Sequence, residues 1–133
     1  MGAWGYGPFE NDSALDWVSW AEEDTSAAVD SALQQATSAG YLDVDDGSAA
    51  VAAASLIAAA RDGDTAGLPE EVAALVHDWQ PDDSHAARAL EALAAVVGAE
   101  SELAALWREG ATAAAWERTI EVLRERLLRA SAG

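Results

Sequence analysis

One apolar run near the middle of the chain constrains the fold more than any other feature. Residues 49–60 are alanine, valine, leucine and isoleucine, with Ser55 as the single polar residue. Alanine favours helix, and a helix that is apolar on every face must be covered by other elements on all sides. The run is also too short to cross a bilayer. The sequence therefore predicts a central helix, over about residues 49–61, inside a helical domain.

Polar caps, glycines and prolines divide the rest of the chain into further amphipathic helices. Within them the apolar side chains recur at helical spacing, and the pattern is clear at Val72, Leu75, Val76 and Trp79. No strand pattern and no internal repeat interrupts these helices. The sequence predicts a single all-α domain over residues 1–133. We expect a compact bundle of about six or seven helices.

Short polar side chains predict where several helices begin, because their oxygens accept hydrogen bonds from the first free backbone N–H groups. The first helix is predicted over about residues 13–22 and the sixth over about residues 101–109. The predicted N-cap residues are Asn11 or Asp12 for the first helix, Asp45 or Asp46 for the central helix, and Asp82 or Asp83 for the fifth.

The first nine residues differ in kind from the helices that follow. They contain three glycines and three aromatic residues: Gly2, Gly5, Gly7, Trp4, Tyr6 and Phe9. Glycine permits irregular backbone turns, and large rings bury apolar area against a helical body. We expect this irregular glycine-aromatic segment to pack on the bundle, near the first and last helices.

The opening residues also carry a family resemblance. The chain resembles the start of a bacterial family, catalogued as domain of unknown function number 4259, through the order Trp4-Gly5-x-Gly7-x-Phe9-x-Asn11-Asp12-x-Ala14-x-Asp16-Trp17. Residues 41–43 with the following helix, and residues 101–107 followed by Trp116, are similar to later parts of the same family. The resemblance spans nearly the whole chain. It implies one compact bacterial domain, and it implies no activity, substrate or catalytic residue.

Acidic residues outnumber basic ones by 24 to seven, and their distribution is uneven. Up to Asp83 the chain carries 17 acidic residues and a single base, Arg61, whereas the remainder carries seven acidic residues and six arginines. The acidic portion would repel nucleic acid and anionic lipid and would attract a basic protein. We expect a basic protein partner, no nucleic acid and no membrane. The alternative is an acidic surface that only keeps the protein in solution.

Composition and motifs exclude several chemical classes. The chain has no cysteine, which removes disulfides, thiol nucleophiles and cysteine-ligated metal centres. His77 and His85 do not have the spacing of a helical ligand pair, so no metal site is predicted at the histidines. The alternative is a site with Asp78, Asp82 or Asp83, which requires the turn between the histidines to fold back on itself. No phosphate-binding or serine-hydrolase motif is present, so we expect no cofactor and favour a non-enzymatic role. With no signal peptide in the sequence, a cytoplasmic location is expected.

Asp12 and Asp16 form the first candidate site, four residues apart on the first helix. Paired carboxylates can share a proton or hold a hard cation. One interpretation is therefore a small hydrolase or a ligand- or metal-binding protein, with Trp4 and Trp17 as the floor of its pocket. The other interpretation is structural. In it, Asp12 caps the helix, and Asp16 accepts hydrogen bonds from the Trp4 indole or from the glycine-rich backbone.

A second acidic stretch precedes the central helix and contains Asp43, Asp45 and Asp46. Its spacing differs from that of an EF-hand, because Ala54 stands where the bidentate glutamate is required. We interpret the stretch as a capped acidic loop that contributes to the anionic binding surface. A weak cation site is the alternative.

Trp20 lies one position off the apolar stripe of the acidic first helix, so we predict that it is exposed and marks a binding surface. The preferred hypothesis is a non-enzymatic acidic module, over about residues 10–83, that engages a basic protein as an immunity protein or a nucleic-acid mimic does. The hydrolase or ligand-binding protein with an Asp12 and Asp16 site is the rival. A structural subunit that dimerises through an apolar helix face is a third alternative, and the sequence predicts no oligomeric state.

Overall fold

The computed structural model describes residues 5–38 and 40–132, with side chains as far as residue 130. Seven α-helices make up most of this part of the chain: α1 (Asp12–Glu23), α2 (Thr25–Ser38), α3 (Val44–Asp62), α4 (Glu70–Asp78), α5 (His85–Val96), α6 (Glu102–Arg108) and α7 (Ala113–Ala132). The prediction of an all-α bundle of six or seven helices is confirmed.

Helix α3 lies at the centre of the bundle and packs against all six other helices. Every residue from 50 to 59 is buried, as expected for a helix that is apolar on all faces. The hydroxyl of Ser55 donates to the Val51 carbonyl at 2.9 Å, so it needs no partner outside its own helix. The predicted central helix is confirmed.

The start of α3 differs from the prediction. The helix begins at Val44 rather than near residue 49, and the assignment of its cap to Asp45 or Asp46 is wrong. The N-cap is Asp43, whose carboxylate accepts the Asp46 N–H at 2.8 Å. Asp45 and Asp46 lie in the first turn, where negative charge favours the positive end of the helix.

Gly47 explains the difference, because a glycine inside a helix usually costs about 1 kcal/mol relative to alanine. Here its missing side chain lets α6 approach α3: a Cβ at Gly47 would lie 3.2 Å from the Leu103 Cβ. Two backbone hydrogen bonds also join the residue before the α3 N-cap to the start of α6. The Leu42 N–H donates to the Glu100 carbonyl at 2.9 Å, and the Glu102 N–H donates to the Leu42 carbonyl at 2.8 Å. The starts of α3 and α6 therefore lie side by side.

Helix α5 begins at His85 with Ser84 at the N-cap, so the prediction of Asp82 or Asp83 as its cap is wrong. The Asp82 carboxylate instead accepts hydrogen bonds from the Ser84 N–H at 2.8 Å and the Ser84 hydroxyl at 2.6 Å. These bonds from Ser84 hold the pKa of Asp82 below its ordinary value. Asp82 thus forms a turn ahead of the helix instead of starting it.

The glycine-aromatic segment lies partly within the described residues. Residues 1–4, and Trp4 with them, are outside that part. Phe9 is buried and packs into the core, which confirms the predicted contact of this segment with the bundle. The Glu10 carboxylate accepts the Gly7 N–H at 3.1 Å and occupies the space over Gly5 and Gly7 where side chains would sit. Glycine is therefore used here to wrap the backbone around the Glu10 side chain.

An ion pair with two hydrogen bonds ties the end of α3 to α7. Arg126 donates from Nε to one Asp62 carboxylate oxygen at 2.8 Å and from Nη2 to the other at 2.9 Å. The hydrogen bonds from Arg126 hold the pKa of Asp62 below its ordinary value. Because that pKa is lowered, the stability from Asp62 is fully present above its unfolded-state pKa of about 3.9. It is lost as the pH falls through the lower folded-state pKa.

We expect Arg126→Met to lower the free energy of unfolding by about 1–3 kcal/mol at pH 7, because a bidentate charge-assisted pair is lost. The difference from wild type should shrink as the pH falls below about 4 and Asp62 becomes protonated. Urea denaturation at a series of pH values measures both effects. The matched control is Arg124→Met, which removes a surface pair with Glu121 at 3.4 Å and should cost less than about 1 kcal/mol. A loss in Arg126→Met that is independent of pH would contradict this assignment.

Candidate functional site

Helices α1 and α4 are in contact, and both carry exposed carboxylates. Together we call these seven carboxylates the acidic face: Asp12, Asp16, Glu22 and Glu23 on α1, and Glu70, Glu71 and Asp78 on α4. The apolar side of α1 packs on α2 and α3, which leaves its carboxylates on the outside. The amphipathic pattern of the helix therefore creates the face.

The carboxylates of the acidic face have no partner in the described part of the chain, where none of the seven side chains forms an ion pair or a hydrogen bond. Elsewhere, five of the seven arginines neutralise acidic side chains within the protein itself: Asp30, Asp62, Asp83, Glu117 and Glu121. Like charges that lie close together without a base repel one another. The face therefore carries its negative charge uncompensated by described side chains.

A groove runs between α1 and α4 within the acidic face. Its volume is about 540 Å³. The groove is lined by Glu22, Glu70, Glu71, Ala74, Leu75 and Asp78. Ala74 and Leu75 give this lining apolar atoms, and its four carboxylates give it negative charge. This combination suits a lysine or arginine side chain, whose stem is apolar and whose end is cationic.

Trp20 borders the acidic face and is the most exposed tryptophan among those whose side chains are described, with 43% of its surface exposed. Its predicted exposure is confirmed. It follows Asp16 by four residues and precedes Glu23 by three, so helical spacing makes these side chains neighbours. An exposed indole beside carboxylates can pack on an apolar side chain or lie against a cation.

The predicted pair of carboxylates lies on the outer surface of α1, and both residues are exposed. Asn11, one of the two predicted caps, is the N-cap and accepts the Ala14 N–H at 2.8 Å, so Asp12 is not the cap. Asp16 accepts no hydrogen bond from a described residue. The described part of the glycine-rich backbone is held by Glu10 instead.

Trp17 belongs to the core, and the expectation that it floors a pocket beside Asp12 and Asp16 is wrong. The residue is 5% exposed, and its indole N–H donates to the Ala28 carbonyl on α2 at 3.0 Å. Trp4, the other residue expected at that floor, lies outside the described residues. The role of Trp17 is thus to join α1 to α2.

We expect Asp16→Asn to change the free energy of unfolding by no more than about 0.5 kcal/mol, because an exposed side chain without a partner contributes little. Urea denaturation followed by circular dichroism measures the change. Glu23→Gln, on the same helix and equally unpaired, is the matched control. A loss of more than about 1 kcal/mol in Asp16→Asn alone would support the structural clamp that the sequence suggests.

The second acidic stretch forms the N-cap and first turn of α3, where the sequence predicts a loop. Asp43 is the N-cap, and Asp45 accepts the Ser13 hydroxyl at 2.6 Å, which links α1 to α3. Partial burial raises the pKa of Asp46, and the neighbouring charges of Asp43 and Asp45 raise it further. These three carboxylates therefore make the start of α3 strongly negative.

The two histidines lie in different environments. His77 is exposed on α4. His85 is buried, and its Nδ1 accepts the Asp82 N–H at 2.9 Å, so Nε2 carries the proton and faces an Asp30 carboxylate oxygen at 3.3 Å. Over the residues that the structure describes, no three histidine, aspartate or glutamate side chains are arranged to hold a metal ion.

A cleft opens at the end of the bundle where α1, α3 and α6 begin. Its volume is about 460 Å³, within the range of about 300–1,000 Å³ that is usual for ligand pockets. The residues that matter most for its chemistry are Asp12, Ser13, Val44, Leu103, Leu106 and Trp107. Trp107 stacks nearly parallel to Trp116, with ring centroids 6.3 Å apart. One wall of the cleft is therefore a supported aromatic surface.

The sequence does not predict this cleft. Its apolar residues come from α6, a helix of seven residues that carries Leu103, Leu106 and Trp107. Leu103 is buried, whereas Leu106 is left 41% exposed. The sequence contains no signal of the cleft, because these three residues have the i, i+3, i+4 spacing of an ordinary apolar helix face.

Comparison with known proteins identifies the family to which the chain belongs. None of the helices in the described part of the chain is long and apolar enough to span a membrane. No curated protein and no solved structure matches the chain. The sequence model of the family described as Domain of unknown function (DUF4259) matches residues 2–119. The chain therefore belongs to the DUF4259 family.

Proposed function

We propose that this protein is a non-enzymatic binding protein that engages a basic protein through its acidic face. One observation carries the proposal: the seven carboxylates on α1 and α4 are all exposed, and none is paired with a described residue. Basic residues of the chain neutralise acidic side chains elsewhere and leave this surface uncompensated.

Repulsion between carboxylates of the acidic face favours the binding of cationic side chains. A surface that only kept the protein in solution would not need such repulsion. Asp12 and Asp16 are four residues apart on one helix. Like charges at this spacing repel one another and destabilise a helix. Lysine and arginine side chains of a partner would relieve this repulsion, and the field of the face would speed their approach. Binding should therefore be fast and sensitive to salt.

The partner that fits this surface is a protein with a basic patch, such as a cationic toxin or an enzyme that acts on nucleic acid. In that form the protein would resemble an immunity protein or a nucleic-acid mimic in its action. The proposal takes the protein to be bacterial and cytoplasmic. Nucleic acids and anionic membranes are not proposed as partners, because the face would repel both.

Affinity capture tests the proposal. The protein is immobilised, exposed to a lysate of the source cell, and eluted with a salt gradient, and the eluted proteins are identified by mass spectrometry. We expect a basic protein to elute as exposed charges become screened, below about 0.5 M salt. A neutralised variant with Glu22→Gln, Glu70→Gln and Asp78→Asn should no longer capture it.

A matched variant separates the acidic face from net charge. Glu91→Gln, Glu121→Gln and Glu125→Gln change the charge by the same amount at exposed positions of α5 and α7, outside the face. This control should capture the basic protein as wild type does. Capture of no salt-eluted basic protein, or equal capture by the neutralised variant and wild type, would overturn the proposal.

A further inference from the structure

We propose that the cleft at the start of α1, α3 and α6 receives an apolar side chain of the basic partner, while a lysine or arginine beside that side chain pairs with Asp12. The inference rests on the proposed function and deepens it. It specifies the partner segment as an apolar residue flanked by basic ones.

The apolar lining of the cleft is the reason for proposing an apolar side chain of the partner as its occupant. Val44, Leu103 and Trp107 provide its walls, and Leu106 stands partly exposed at its edge. Apolar surface that is open to water gains most when another apolar side chain covers it. The volume of about 460 Å³ is ample for one aliphatic or aromatic side chain.

The negative charges around the cleft are the reason for proposing a lysine or arginine next to that apolar side chain of the partner. Asp12 lines it directly. Two further carboxylates are one hydrogen bond away from lining residues: Ser13 donates to Asp45 at 2.6 Å, and the Val44 N–H donates to Glu102 at 3.0 Å. Among the described residues that line the cleft, none is lysine, arginine or histidine. A cation is therefore favoured at this site.

An anionic ligand fits the same cleft poorly, although two long helices begin beside it. The N-cap side chains of Asn11 and Asp43 already accept backbone N–H groups in the first turns of α1 and α3. The carboxylates of Asp12, Asp45 and Asp46 add negative charge at these ends. They outweigh the partial positive charge of the helix termini, which is about half an elementary charge each.

Asp12 connects the cleft to the acidic face, because it belongs to both. A partner segment can therefore place basic side chains along α1 and insert its apolar residue into the cleft at the N-terminal end of α1. Apolar anchors in pockets with charges at the rim are a usual arrangement in protein interfaces, where the anchor supplies affinity and the charges orient the chains.

Two short peptides test the inference. One has a leucine between two pairs of arginines, and the other has serine in place of the leucine. Their affinities for the full chain are measured by fluorescence anisotropy at low salt. We expect the leucine peptide to bind wild type about tenfold more tightly or better, since burial of a leucine side chain is worth at least that factor.

Two variants locate the effect. Leu106→Ser removes an apolar lining side chain of the cleft at a position that is 41% exposed, and Leu128→Ser is its matched control on α7 at 43% exposure. Leu106→Ser should reduce the preference for the leucine peptide to about twofold or less, while the affinity for the serine peptide stays unchanged. Leu128→Ser should keep the full preference.

Each outcome that differs from these expectations contradicts a different part of the proposal. If wild type binds both peptides equally and both detach with salt, the cleft inference is wrong while the acidic face stands. If Leu106→Ser keeps the full preference, the leucine binds elsewhere and the inference is wrong. If neither peptide binds at low salt, the proposed function fails and the inference fails with it.

Discussion

Leu56→Ala is expected to lower the free energy of unfolding by about 2–5 kcal/mol, the range for removing a buried leucine side chain. Leu56 is fully buried on α3, the helix that packs against all the others. The residues around it in α3 are mostly alanine, and alanine has no side-chain freedom with which to fill a cavity. A domain has a total stability of about 5–15 kcal/mol, so this single change removes a large fraction of it.

Urea denaturation monitored by circular dichroism measures this loss, and Leu128→Ala is the matched control. Leu128 is 43% exposed on α7, so its removal should cost about 0.5 kcal/mol or less. A loss below about 1 kcal/mol in Leu56→Ala would mean that α3 is not the packed centre of the bundle.

Reversal of three charges on the acidic face is expected to weaken binding of the basic partner by about 100-fold or more. The variant carries Glu22→Lys, Glu70→Lys and Asp78→Lys, three positions that line the groove between α1 and α4. Each change replaces an attraction with a repulsion. About 1 kcal/mol for each exposed position gives about 3 kcal/mol in total, which corresponds to this factor.

The measurement is the dissociation constant of the captured partner at low salt, compared with a control on α5 and α7 that carries Glu91→Lys, Glu121→Lys and Glu125→Lys. The control has the same net charge and should lose no more than about fivefold. Both variants should approach wild type near 0.5 M salt, where charges farther apart than about 4–5 Å are screened. Equal losses in the two variants would show that net charge, and not the acidic face, determines binding.

Local patterns predict the interior of this fold, and they predict the bounds of α1 and α6 to within one residue. They do not predict the starts of α3 and α5. The apolar run at residues 49–60 predicts a buried helix because its burial follows from composition alone. Its start was missed because Gly47 is accommodated by Leu103, a contact across the fold that no local pattern contains. The start of α5 was missed because Asp82 bonds to Ser84 in a turn, and a short acidic side chain suits a turn as well as a cap.

The sequence predicts the negative charge of the candidate site, but it does not predict the shape of the site. The uneven distribution of acidic residues is visible in the sequence, as is the position of Trp20 off the apolar stripe. The contact between α1 and α4 is tertiary, so the groove was not predicted. Which carboxylates remain unpaired also depends on distant partners, such as Arg88 for Asp30 and Arg126 for Asp62. Those pairs become visible only in the folded chain.

The central claim is that α1 and α4 together bind a basic protein, and NMR mapping tests it most directly. Uniformly ¹⁵N-labelled protein is titrated with the captured partner at low salt, and amide shifts are assigned along the chain. We expect changes concentrated on α1, α4 and the start of α6, which disappear as salt is added. Changes concentrated on α5 and α7, or changes on α1 and α4 that persist at high salt, would contradict it.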